Sequence, residues 1–142
     1  MIEQAIKKWH SFVKTGQVNI LDELLADDVE FYSPVVFKPQ YGKAITKMYL
    51  ATAAATFSAG KGALSEDNSN EGIQNFHYTK EVLMDNYAIL EFESELEGVY
   101  INGVDIITFN ENGQITEFKV MMRPIQAVNA MHQQMKMMLN RD

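Results

Sequence analysis

The sequence predicts an α+β domain, helices packed on one face of an antiparallel sheet, from three observations. Helical periodicity dominates the first 57 residues, alternation with period two replaces it from about residue 73, and an amphipathic segment closes the chain. Ala5, Trp9, Phe12 and Val13 recur at helical spacing, and Gly16 stops that helix. Ile20, Leu21, Leu24 and Leu25 form a short second helix ending at Ala26-Asp27-Asp28. Val29 to Ser33 reads as a strand, which Pro34 ends because proline has no N–H for a ladder. Lys43 to Phe57 reads as a long helix with Ile45, Met48, Tyr49, Thr52 and Thr56 near one face. Its run of alanines favours helix and permits close packing on a sheet.

Ser58 to Gly72, rich in Gly, Ser, Asn and acids, reads as a mobile connection. Ile73 to Met84 and Tyr87 to Leu96 make a hairpin turned at Asp85-Asn86, and Val99 to Phe109 pairs with Gln114 to Arg123. Asn112-Gly113 supplies the positive φ that the second turn needs. Pro124 opens the last helix, with Ile125, Val128, His132, Met135 and Leu139 on one face. Its methionines Met131, Met135, Met137 and Met138 suit a cover for a pocket mouth, a contact with a second subunit, or plain core packing.

Strand parity locates the core. Ala88, Leu90, Phe92 and Leu96 share one face of their strand, with Glu91, Glu93 and Glu95 on the other. Phe118, Val120 and Met122 likewise oppose Glu117, Lys119 and Arg123. The row Val99, Ile101, Gly103, Asp105, Ile107 and Phe109 is apolar except for one acid.

Bulk properties exclude several classes. The length of 142 residues, 46% hydrophobic and 22% charged, is that of one globular domain, and no break in composition divides residues 1–142. A net charge of −7 argues against nucleic acid or an anionic membrane surface as partner, since both need clustered Lys and Arg. Absence of cysteine removes disulfides, thiolate metal sites and cysteine nucleophiles. His10, His77 and His132 lack metal-ligand spacing, so no metal is expected, and no motif calls for a cofactor. No signal-like or membrane-spanning segment stands out, which makes the cytoplasm the default location.

Several stretches in order resemble the nuclear transport factor 2-like superfamily, in its SnoaL-like and ketosteroid-isomerase-like branches. They are Trp9 to Val13 followed by Gly16, Leu25 to Pro34, Tyr41-Gly42-Lys43 opening a helix, Gly103 to Gly113, and Val120 to Pro124. The resemblance implies a cone in which a curved antiparallel sheet wraps a long helix around an apolar pocket. It implies a small apolar ligand and a family of both enzymes and non-catalytic proteins. Ketosteroid isomerases pair an aspartate base with an oxyanion hole of a tyrosine and a protonated aspartic acid. Counting along the resemblance places Trp9 at the tyrosine, Ser33 at the base and Asp105 at the protonated acid, so one of the three residues survives.

The departures carry chemistry. Ser33 cannot accept a proton at neutral pH without a neighbouring base, and Trp9 can donate a hydrogen bond but not transfer its proton. Asp105, among Ile101, Ile107, Val120 and Met122, is expected to have its charged form disfavoured by desolvation. It is the candidate acid–base group for cofactor-independent isomerisation, cyclisation or dehydration, with Ser33 and Trp9 orienting. The bland alternative has Asp105 satisfied by Trp9, a tyrosine hydroxyl or a backbone amide. The expected ligand-binding wall is Val13, Tyr49, His77, Leu90, Phe92, Ile101, Val120 and Met122, with the direction of His77 resting on hairpin register. Arg123 is expected to pair with Glu91, Glu93 or Glu117 on the outer sheet face, through which a homodimer would form. The competing reading is a non-catalytic ligand-binding or protein-interaction (dimerisation) module.

Overall fold

The computed structural model describes residues 2–63 and 76–139. In chain order the elements are α1 (Ile2–Thr15), α2 (Asn19–Leu24), β1 (Leu25–Tyr32), β2 (Gln40–Tyr41), α3 (Lys43–Ala63), β3 (His77–Met84), β4 (Tyr87–Leu96), β5 (Val99–Phe109), β6 (Ile115–Arg123) and α4 (Ile125–Leu139). The strands form one curved, open sheet in the order β2-β1-β6-β5-β4-β3. β1 runs parallel to β6 and all other pairs are antiparallel, so the sheet is mixed where the sequence reading has an antiparallel one.

α1 buries Ala5, Ile6, Trp9 and Phe12, spaced to make one stripe. Gly16, at φ 75°, closes it by donating its N–H to the Phe12 carbonyl at 2.7 Å. α2 stops at Leu24, short of the expected end at Ala26-Asp27-Asp28, and β1 starts at Leu25 rather than Val29. The reason is a register shift in the pairing of β1 with β6 between Leu25 and Glu30, which leaves Asp27 and Asp28 in water while Leu25, Ala26, Val29 and Phe31 are buried. Acids in the middle of a strand thus look like a helix end.

α3 continues to Ala63, through six residues assigned above to a mobile connection, and the rest of that connection lies outside the described residues. Its core side is also shifted: Thr46, Leu50 and Thr56 are buried and Tyr49 is half-buried, while Met48 is exposed. On α4 the buried face is Ala127, Met131 and Met135, and Ile125 and His132 are exposed. Apolar residues occur on several sides of α4, so periodicity allowed two phases. Ala127, with no exposed surface, lets the helix approach the sheet closely and decides between them.

The sheet's inner face is as parity predicts: Ala88, Leu90, Phe92 and Leu96 on β4, and Ile101, Asp105, Ile107 and Phe109 on β5, are buried. The core has two parts. One, beneath α1, contains Trp9, Phe12, Phe31 and Phe118; the other, beneath α4, contains Phe92, Ile101, Met131 and Met135. Tyr49, Tyr78 and Val120 pack against both.

Candidate functional site

Between the two parts of the core lies a cavity of about 270 Å³ whose wall includes Trp9, Tyr49, Tyr78, Phe92, Asp105 and Met131. That is just below the range of roughly 300 to 1,000 Å³ common for small-molecule sites. Asp105 lines the cavity from β5, with Leu90 and Val120 as its cross-strand neighbours, and is only 5% exposed. The Tyr78 hydroxyl donates to Asp105 Oδ2 at 2.6 Å, and Trp9 Nε1–H donates to the Tyr78 oxygen at 2.9 Å. Among the described residues, nothing donates to Asp105 Oδ1.

Burial raises the Asp105 pKa from 3.8 to about 7, and the Tyr78 hydrogen bond partly opposes the rise. The Tyr78 phenol is pushed well above its ordinary value by desolvation first and by the Asp105 charge second. The tyrosine therefore keeps its proton, and the carboxyl is the group that titrates near neutrality. Replacing Tyr78 by Phe should move the Asp105 pKa still higher, because the bond that favours the ionised form is gone. A carboxyl-carbon NMR titration of Y78F checks this; an unchanged midpoint would contradict the coupling.

Tyr78 escaped the sequence reading because of one irregularity. With β3 and β4 paired in straight register about the Asp85-Asn86 turn, Thr79 and His77 would face inward. The register shifts between Tyr78 and Lys80, so Tyr78 pairs with Phe92 and turns inward while His77 pairs with Glu93. His77 is accordingly exposed, with Nε2 3.7 Å from Glu93 Oε1, and is absent from the cavity wall. The one available signal was the aromatic Phe76-x-Tyr78 spacing beside a strand whose Thr79 and His77 are poor core residues.

Of the other expected positions, Trp9, Val13, Ser33, Tyr49, Phe92, Val120 and Met122 line the cavity. Leu90 and Ile101 do not: both are wholly buried in the core, beneath the layer that reaches the cavity. The Ser33 hydroxyl accepts the Val35 N–H at 3.0 Å, which shapes the loop after β1 and supplies no base. His10, outside the expected wall, lines the cavity and contacts Glu81 through Nε2 at 2.6 Å, with its ring edge-on to Tyr78. Gly103 pairs with Phe92 and is packed against that ring. A Cβ there would stand 2.3 Å from the tip of the Phe92 ring, so the missing side chain is what lets that ring lie flat over β5.

The fold has counterparts among solved structures. A steroid delta-isomerase from Pseudomonas aeruginosa is 25% identical and superposes with a TM-score of 0.82, over 97% of this chain and 90% of that one. A nuclear transport factor 2-like protein of unknown function from Mesorhizobium loti superposes at 0.67 with 12% identity, over 87% and 91%. The chain has a nuclear transport factor 2-like fold. An uncharacterised cystatin-like-fold protein from Silicibacter pomeroyi is similar to this nuclear transport factor 2-like chain at 27% identity and a TM-score of 0.80, over 97% and 86%. No protein-family model and no curated protein matches the sequence. Among the described residues no helix is long and apolar enough to cross a membrane, and no group of three or more His, Cys, Asp or Glu could hold a metal ion.

Proposed function

We propose that this chain binds a small hydrophobic carbonyl compound and moves a proton on it, with Asp105 as the acid–base group. The observation that carries the reading is a lone carboxyl, poised near pH 7, in the wall of an otherwise largely apolar cavity. Ionised Asp105 takes a proton from the carbon beside the carbonyl; the C–H electron pair forms the C=C bond of an enolate, and the carbonyl π pair moves onto oxygen. Protonated Asp105 no longer needs the Tyr78 hydrogen bond, so the Tyr78 hydroxyl, held by Trp9, becomes a donor for that oxygen. Return of the proton to a different carbon gives an isomer, and return to the same carbon gives exchange. No cofactor takes part in this scheme. The likeness to a steroid delta-isomerase supports proton-transfer chemistry in this fold. Ser33, where that family places its base, argues against its usual route. Exchange of α-protons of a small cyclic ketone in D₂O, followed by proton NMR, tests the reading; no enzyme-dependent exchange across a panel of such ketones would overturn it.

The hydroxyl of Ser33, occupied by the Val35 N–H, also favours a second reading, a ligand carrier without turnover. A carrier would show saturable binding with no exchange.

The outer sheet face supports a homodimer. Val82, Met84, Tyr87, Ile89, Tyr100 and Met121 are each at least 42% exposed and lie on four adjacent strands, β3 to β6. Arg123 Nε–H donates to Asn102 Oδ1 at 2.8 Å, and Asn102 Nδ2–H donates to Glu91 Oε2 at 3.0 Å, giving the patch a polar border. Light scattering should give a mass near twice the 16.2 kDa of the chain, and Met121→Glu should halve it. A monomeric wild type would end the dimer reading.

A further inference from the structure

Lys14 lines the same cavity as Asp105 but is itself exposed. Among the described lining residues it is the one lysine or arginine. It makes no ion pair with the described residues, whereas Lys8, Lys43, Lys47 and Lys80 all do. Lys14 follows Trp9 by five residues on α1, roughly 7.5 Å along the helix axis. Trp9 reaches Asp105 through Tyr78, so the cavity has an acid at its buried end and an unneutralised cation at its rim. The nearby acid Glu81 is engaged by His10.

That polarity selects and orients a ligand. A wholly neutral apolar molecule would gain nothing from Lys14. An anion placed at the buried end would meet the Asp105 carboxyl in a desolvated site, at high cost. A polyanion would be repelled by a chain of net charge −7. We propose that the ligand is an amphiphilic monocarboxylic acid, its carboxylate docked on Lys14 and its hydrophobic, carbonyl-bearing body filling the cavity toward Asp105. The inference rests on the reading of the cavity as a ligand site and adds the substrate class.

Trp9 is the sole tryptophan and lines the cavity, so its fluorescence reports occupancy. The probes are 4-phenylbutyrate and 4-phenylbutanol, equal in skeleton and different in charge. At low salt, about 20 mM, the carboxylate should bind roughly fivefold tighter than the alcohol, a preference that shrinks toward 300 mM salt. Lys14→Gln should bring the two affinities together, and Lys14→Arg should keep them apart. Because Lys14 is exposed, neither change threatens folding. Equal affinities in the wild type, or a preference that survives K14Q, would overturn the head-group assignment and leave the cavity reading standing. Failure of both probes to alter Trp9 fluorescence would overturn the two together.

Discussion

Asp105→Asn is expected to leave ketone binding within a few-fold of wild type while slowing α-proton exchange by roughly 100- to 10,000-fold, the usual worth of a positioned general base. Asparagine keeps the shape, and its carbonyl oxygen can still accept the Tyr78 hydroxyl at the position of Oδ2. It cannot take a proton from carbon. The same chemistry sets the pH profile. With the folded pKa at about 7, the wild-type rate should climb about tenfold per pH unit from pH 5 and level off above 7. A variant that exchanged at the wild-type rate would show that Asp105 is a satisfied core residue, and a profile flat from pH 5 to 8 would point the same way.

The second large effect is on stability. The Asp105 pKa is raised on folding, from 3.8 to about 7, so the folded state holds this proton more tightly than the unfolded state does. The favourable contribution is complete below pH 3.8, declines as pH rises, and is gone once the folded carboxyl has ionised above pH 7. The gap between 3.8 and about 7 corresponds to about 4 kcal/mol, on the order of 10 °C in Tm for a chain of this size. Other groups titrate over the same interval, so the measured quantity is the difference between wild type and D105N. Thermal unfolding from pH 5 to 8.5 should show the variant gaining on the wild type steadily, the difference becoming constant near pH 8. Parallel curves would mean that Asp105 is hydrated in the folded protein.

The exchange and stability tests are independent readings of one cause, the transfer of a carboxyl from water to an apolar wall. Binding can fail without altering the pH dependence of stability. The reverse outcome, exchange without a stability difference, would require another base, and the imidazole on the cavity wall is that of His10. Glu81 stands against His10, so the proton acceptor would then be that pair.

How much of this was legible beforehand differs by level. Alternation of apolar and acidic residues along Tyr87–Leu96 and Val99–Phe109 was enough to give the inner face of the sheet and the lone acid on it, because parity in a strand is a local property. The turns at Asp85-Asn86 and Asn110 to Gly113 were likewise local, as was the Gly16 stop. These features sufficed for the α+β class and for Asp105, Trp9 and Tyr49 facing one interior. What the sequence could not carry were quantities set by partners distant in the chain. The parallel pairing of β1 with β6 and the phase of α4 are of this kind. So is the bulge that turns Tyr78 in and His77 out, since a one-residue slip costs nothing in local propensity and is settled only by what each face then packs against. The acid was therefore written in the sequence, whereas its hydrogen-bond partner, and with it the balance that places its pKa near neutrality, arose only when Tyr78 on β3 reached Asp105 on β5 and Trp9 on α1.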